Sequence, residues 1–375
     1  MPDWRDRSLP DLLAEHGLEA AVERDFPTDG WSGATFSTLE DHSGRRFVLK
    51  RTSLERDWIA RATQDDRLRE AWLAGADPTG FDSGSVGPGA SAESGARVGT
   101  AYFGAAADGD GVAAILMPDL SDSLIAWERA GVDPVIDPAT LQRVLGALAT
   151  LHRRPWADAL EDVAAVAGEP PLPWCPLPER LLLLSRPSAE GYARDANPVG
   201  PRFLAGWDAF EQYAPTGAVG LIRELSADVQ PLVAALEQLP IAGLHGDLKL
   251  ANVALLPEGE VALIDWQMSL RAPVAVELGW FLVSNSASLP DTPEALLDDY
   301  REASLALARG GNGGQELLHE WDTQLDLALL VGLLLRGWRK GLDTAAGATL
   351  ASGVSAADDL AWWSEHAIAA AARRL

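Results

Sequence analysis

The sequence predicts an α+β chain, strand-rich at its N-terminal end and mainly helical beyond it. Three observations carry this reading. Short β-prone runs separated by polar turns recur between residues 19 and 117. From Asp122 onward the apolar residues recur at helical spacing, as at Leu141, Val144, Leu145, Leu148 and Leu151. Within the helical part, residues 253–256 and 261–264 are short apolar runs flanking Pro257, Glu258 and Gly259, the pattern of a single hairpin.

Composition narrows the class. At 375 residues and 47% hydrophobic, the chain can bury a large core and form more than one domain-sized unit. A single cysteine, Cys175, excludes an intrachain disulfide framework and fits a reducing compartment. The opening residues are polar, and the longest apolar run, residues 327–335, is too short to span a bilayer. A cytoplasmic protein with no membrane partner is therefore expected. The net charge of −25 leaves no basic stripe to neutralise phosphates, which argues against nucleic acid.

In chain order, residues 1–18 read as a helix with Leu9, Leu12 and Leu13 on one side, and residues 19–26 as a first strand. Gly30, Ser32 and Gly33 lie in a polar turn before a β-prone run at 35–39, and residues 46–51 form a third strand that carries Lys50. One helix is expected from 54 to about 76, with Glu70 twenty residues after Lys50 and Glu55 in its first turn. Residues 77–98 are Gly-, Ser- and Ala-rich and read as a loop. Strands at 99–104 and 112–117 follow, and Pro118 then breaks the pattern. Asp137 and Pro138 open a helix over 139–153 that ends near His152. Residues 155–240 begin Pro-rich and become helical around 202–212 and 219–238. Helices are expected at 273–287, 292–309, 315–340 and 355–374.

The stretch with the densest chemistry is residues 244–267, LHGDLKLANVALLPEGEVALIDWQ. Its hairpin returns Asp265 toward the loop that holds Asp247 and Asn252. Two carboxylates and an amide oxygen in a small volume suit Mg²⁺. His245-Gly246-Asp247, Asn252 five residues on, and Asp265-Trp266-Gln267 resemble the catalytic and metal loops of the protein-kinase-like superfamily. The resemblance is to its aminoglycoside phosphotransferase and choline kinase branch, and in motif it covers residues 28–76, 112–122, 139–153 and 244–280.

That resemblance implies a bilobal protein-kinase-like fold: a nucleotide-binding lobe at 1–117, a hinge at 118–122 and a helical lobe at 123–375 with an insert at 155–240. It implies that Asp247 is the catalytic acid–base residue and that Lys249 either stabilises phosphate charge or faces solvent. Asn252 and Asp265 would hold Mg²⁺. Lys50 paired to Glu70, with Gly30, Ser32 and Gly33, would hold the phosphates of ATP, and a backbone N–H of Met117 or Asp119 would meet the adenine. His245 and His152 read as structural, and Glu277 as a residue tying down the catalytic loop.

The expected activity is ATP- and Mg²⁺-dependent phosphorylation of a hydroxyl on a small molecule of the antibiotic, amino-sugar or amino-alcohol type. Alternatives are a sugar or other metabolite kinase of the same fold, or a pseudokinase acting as a binding module. No Ala-Pro-Glu follows the metal loop, which argues against a protein kinase. No protein partner is implied. Asp208, Glu211, Glu320, Asp322 and Asp326, near Trp207, Trp321 and Trp338 in sequence, favour a cationic acceptor over an anionic one.

Overall fold

The computed structural model describes residues 3–26, 31–75, 98–125, 135–168, 170–257, 259–309 and 316–375. Strands β1 (Val22–Asp25), β2 (Thr35–Glu40), β3 (Arg46–Ser53), β4 (Val98–Thr100), β5 (Gly104–Ala107) and β6 (Val112–Pro118) occupy the N-terminal part. All but β4 build one antiparallel sheet in the order β1-β2-β3-β6-β5. Alternation along β3 gives the sheet two buried faces. Phe47 and Leu49 join Leu9 and Leu12 of helix α1 (Leu9–Glu15), while Val48 shares the opposite face with Trp72 and Tyr102. Lys50, two residues after Val48, points to that second face.

Three sequence expectations change here. The single helix at 54–76 is two, α2 (Trp58–Ala62) and α3 (Arg69–Gly75), with Gln64 and Leu68 at positive φ between them. Buried carboxylates cause the break. Asp57 accepts from the Ala60 N–H at 3.0 Å and caps α2, and Asp65 accepts from the Arg69 N–H at 2.8 Å and starts α3. The expected strand at 99–104 also divides. β5 takes its place in the sheet, while β4 leaves and pairs in parallel with the distant hairpin, Gly99 opposite Ala262. The N-terminal helix likewise shortens to α1, preceded by one 3-10 turn at Trp4–Asp6. The expected loop falls at 77–97, outside the described residues, as do Gly30 and the glycine run 310–314.

The remainder is helical around the hairpin. Helix α4 (Pro138–Arg153) is capped by Asp137, which accepts from Thr140 N–H. It is followed by α5 (Trp156–Ala167), α6 (Leu177–Leu182), α7 (Arg186–Arg194), α8 (Val199–Tyr213), α9 (Thr216–Ala227) and α10 (Gln230–Leu236). The helix expected over 219–238 ends at Ala227 and restarts at Gln230, with Pro231 in the first turn, a position that proline favours. Strand β7 (Ala242–Leu244) leads into the catalytic-type loop, β8 (Val253–Leu255) and β9 (Val261–Leu263) form the hairpin, and β10 (Leu270–Ala272) pairs back with β7. Helices α11 (Val274–Asn285), α12 (Pro293–Arg309), α13 (Trp321–Ala345) and α14 (Ala356–Arg374) complete the chain. α13 packs against α8, α11 and α14, with Phe203 and Trp338 rings 4.8 Å apart at one contact. Among the described residues no helix is long and apolar enough to cross a membrane.

Asp65 gives this fold a pH signature. Burial raises its carboxyl to about 6, against the pull of Arg69. A folded pKa above the unfolded one means stability that is fully present below about 4 and lost as pH rises through about 6, worth about 3 kcal/mol at most. Asp65→Asn, which keeps the cap without the charge, is expected to remove that component. Melting curves from pH 4 to 7 on both proteins check it, and an identical pH slope would contradict the assignment.

Candidate active site

The site is built around one buried cation. Lys50 Nζ lies 2.5 Å from Glu70 Oε2 and 2.7 Å from Asp265 Oδ1. β3 supplies the lysine, α3 the glutamate, and the turn after β9 the aspartate. Lys50 and Glu70 are almost fully buried, whereas the Asp265 side chain keeps 34% of its surface exposed, so this carboxylate opens toward a cleft. Burial alone would deprotonate the lysine, but the two carboxylates outweigh it and raise its pKa. Burial likewise pushes Asp265 up, but Lys50 and Lys249 hold it down at about 2. Asp265 adopts a left-handed backbone, φ 67°, which re-aims its side chain at the end of the strand.

Tyr102, which the sequence reading passed over, locks this cluster. Its hydroxyl donates to Glu70 Oε1 and accepts from the N–H groups of Asp265 (3.1 Å) and Trp266 (3.3 Å). Gln267, beside the same turn, donates at 2.6 Å to Asp57, the cap of α2. The loop carrying Asp265 is thus fastened to both short helices of the N-terminal part.

The catalytic-type loop is fixed from below by Glu277 on α11. Its buried carboxylate accepts from the N–H of His245 (3.1 Å) and Gly246 (2.6 Å), and from His152 Nε2 (2.9 Å). His152 Nδ1 in turn meets the Tyr300 hydroxyl at 2.8 Å. Gly246 has φ 83°, and a Cβ there would collide with the Met268 carbonyl, so only glycine fits. His245 Nε2 faces the Ile264 carbonyl at 2.9 Å, an acceptor only, so Nε2 carries the proton and Nδ1 accepts the Asp247 N–H. Burial lowers the His245 pKa, consistent with a neutral ring.

On that support Asp247 sits nearly buried, with Lys249 Nζ 3.1 Å from its Oδ2. Asn252 Nδ2 donates to the Asp247 carbonyl at 2.8 Å, which turns its Oδ1 the other way. The Asn252 carbonyl accepts from Ile264 N–H at 3.1 Å, tying it to the residue before Asp265. Asn252 Oδ1 and Asp265 Oδ2 accept no hydrogen bond among the described residues. Hard oxygens left uncommitted beside a cleft fit a Mg²⁺-type cation completed by phosphate oxygens and water. Among the described residues no group of three or more His, Cys, Asp or Glu forms a separate metal cage.

The remaining expected positions fall as follows. Gly33, φ 97°, packs against the Arg56 carbonyl, and the Ser32 carbonyl accepts from Trp58 N–H at 3.1 Å, so the turn after β1 rests on the start of α2. At the end of β6, Met117 lies opposite Val48 within the ladder. The Asp119 N–H, a candidate adenine donor, is instead spent on the Arg46 carbonyl at 3.2 Å, because the strand pairing runs one residue further than expected. The Leu120 N–H has no partner among the described residues and takes over as the candidate donor. Trp207, Trp321 and Trp338 are core residues, exposed by 5% or less. Asp208 and Glu211 pair with Arg186 and Arg223, and Asp326 with Arg373 and Arg374. Three of the five carboxylates expected to meet an acceptor are thus paired to arginines, while Glu320 and Asp322 have no arginine or lysine partner among the described residues.

Residues 25–316, most of the chain, match the family model APH, described as the phosphotransferase enzyme family. No curated protein matches the sequence. Among solved structures the chain is similar to a macrolide 2′-phosphotransferase from Brachybacterium faecium (20% identity, 96% of this chain and 97% of that one, TM-score 0.44). It is also similar to an aminoglycoside phosphotransferase from Alicyclobacillus acidocaldarius (18%, 93% and 91%, 0.38) and a choline kinase from Cryptosporidium parvum (10%, 94% and 88%, 0.47).

Two substitutions test the scaffolding. Tyr102→Phe strips a buried carboxylate and two N–H groups of a shared partner and is expected to cost about 1–3 kcal/mol. Glu277→Ala leaves two backbone N–H groups and His152 without an acceptor and is expected to cost about 3–5 kcal/mol. Denaturant unfolding measures both, and a Glu277→Ala protein as stable as the wild type would contradict the anchoring role.

Proposed function

This chain belongs to the phosphotransferase enzyme family, and from that premise we propose that it transfers the γ-phosphoryl group of ATP, with Mg²⁺, to a hydroxyl of a small molecule. The observation that carries the reading is the Lys50–Glu70–Asp265 cluster standing beside Asp247 and Asn252. In it a lysine held between two carboxylates and a partly exposed carboxylate that can take a cation lie together. Phosphoryl transfer asks little covalent chemistry of a protein and much positioning and charge stabilisation.

The roles follow from the chemistry. Lys50, aligned by Glu70, meets the α- and β-phosphates, while Ser32 and Gly33 approach them from the turn after β1. Asn252 and Asp265 would hold Mg²⁺, which would supply positive charge against the phosphates. Asp247 accepts a hydrogen bond from the acceptor hydroxyl, aims the oxygen at the γ-phosphorus and takes its proton. A carboxylate is a weak base, so orientation is its larger contribution. Lys249, already beside Asp247, neutralises charge that develops on the transferring group. Residues 118–122 serve as the hinge between a nucleotide lobe at 1–117 and an acceptor lobe at 123–375, with the Leu120 N–H as adenine donor. Helices of the 155–240 insert and α13 shape the acceptor pocket. A sugar or other metabolite kinase falls within this reading.

Asp247→Asn is expected to lower turnover by about 10²-fold or more while nucleotide affinity stays near the wild-type value. Asp265→Asn is expected to remove Mg²⁺-dependent nucleotide binding itself. Calorimetric titration with a non-hydrolysable ATP analogue, with and without Mg²⁺, separates the two, alongside ATP consumption across a panel of hydroxylated metabolites and antibiotics. Binding of nucleotide without consumption of ATP by any acceptor would favour a binding module instead.

A further inference from the structure

Two guanidinium groups near Asp247 form no ion pair with a carboxylate among the described residues. Arg180, on α6, is fully buried. Its Nε donates to the Gly246 carbonyl at 2.9 Å, but both Nη atoms are buried with no hydrogen-bond partner among the described residues. Arg336, on α13, is half-buried and pairs with no carboxylate among the described residues, and its Nε is buried and unpartnered. Both guanidiniums lie against the Trp280 ring, at 4.4 and 5.4 Å from its centroid, and Arg336 is also 5.4 Å from that of Trp338. The charge of Asp247 acts on both, and its own Oδ1 is buried without a partner.

The contrast with the neighbouring cations sharpens the point. On the same helix Arg339 pairs with Asp343 at 2.9 Å, and Lys340 pairs with Asp359. The chain carries 55 acidic residues against 30 basic ones, so carboxylates are plentiful. None is spent on Arg180 or Arg336 among the described residues. A buried cation left unpaired is costly, and such sites persist where a ligand supplies the missing charge. Burial, with Arg339 nearby, pushes Arg336 down to about 10, so it remains a cation at neutral pH. Guanidinium groups bind carboxylates and phosphates through paired donors, and arginines against indole keep that geometry fixed.

We propose that the acceptor presenting its hydroxyl to Asp247 also carries an oxyanion, a carboxylate or a phosphate, which seats on Arg336 beside Trp280 while Arg180 adds a second positive charge deeper in the site. This rests on the phosphotransfer reading and names its substrate class. It departs from the cationic preference drawn from sequence, three of whose five carboxylates, Asp208, Glu211 and Asp326, are committed to Arg186, Arg223, Arg373 and Arg374. The two guanidiniums also supply local positive charge to an anion that the net charge of −25 would otherwise repel.

The test uses the full chain loaded with Mg²⁺ and a non-hydrolysable ATP analogue. Melting is followed against sodium sulfate, with sodium chloride at equal ionic strength as the reference. Saturable stabilisation that Arg336→Gln abolishes is expected, while stabilisation that never saturates, or is equal in the variant, overturns the proposal. With ATP, gluconate and glucose 6-phosphate are compared with glucose and glucosamine, which distinguishes a carboxylate from a phosphate and both from neutral or cationic acceptors. The anionic acceptors are expected to lead, and Arg336→Gln to raise their KM by about 10- to 100-fold with a smaller change in kcat, partly restored in Arg336→Lys. Preference for glucose or glucosamine overturns the proposal but leaves phosphotransfer standing. Sulfate binding at Arg336 without transfer to any acceptor supports the anion site and counts against phosphotransfer.

Discussion

The structure depends on keeping one ammonium group charged in a dry place. Lys50 has almost no exposed surface, and a lone lysine there would be neutral. Two carboxylates prevent this, and they come from parts of the chain that share no local structure: Glu70 from a short helix on the small sheet, Asp265 from a hairpin more than two hundred residues away. The cost of burying the cation is met only when sheet, helix and hairpin stand together. The same ion triad therefore sets the relative placement of the N-terminal sheet and the helical part. Tyr102 extends the restraint by linking Glu70 to the backbone on which Asp265 turns.

A second restraint governs the other half of the cleft. Glu277 holds the backbone of His245 and Gly246 with a single carboxylate, and burial of that carboxylate is tolerated because its oxygens meet two N–H groups and a histidine. The loop above it, which closes with a 3-10 turn at Leu250–Asn252, can then hold Asp247 close to Lys249. Rigid parts below and an ionic joint above leave the exposed edge of Asp265 and the Oδ1 of Asn252 as the open polar surface between them.

Much of this was legible in sequence, for identifiable reasons. Asp247, Asn252 and Asp265 sit in one pattern whose spacing places them around a single hairpin, whereas Lys50 and Glu70 were picked out by the family resemblance that this pattern carries. The helix boundaries at Asp57 and Asp65 were not legible, because a carboxylate in a helical stretch reads as solvent-facing until its burial is known. Tyr102 gave no signal at all: its partners lie at Glu70, Asp265 and Trp266, and no periodicity links them. The acidic residues Asp208, Glu211 and Asp326 misled for the opposite reason. Their arginines are remote in sequence or outside the helical register, so the charges looked available when they are paired. Arg180 and Arg336 gave no signal, since an arginine in a helix gives no hint that it lacks a counter-ion.

The parallel pairing of β4 with β9 also bears on how the chain is made. The small sheet draws all its strands from residues 22–118 and can close as soon as that segment leaves the ribosome. β4 lies inside the segment but has its partner at Val261–Leu263, synthesised much later. Val98–Thr100 must therefore wait, unpaired, beside the sheet, and Lys50, Tyr102 and Asp57 wait with it for their partners at Asp265, Trp266 and Gln267. Long-range pairings of this kind form slowly and expose strand edges in the interval. A polypeptide truncated before the hairpin would keep its sheet, hold an orphaned strand, and be the form of this protein most prone to aggregate.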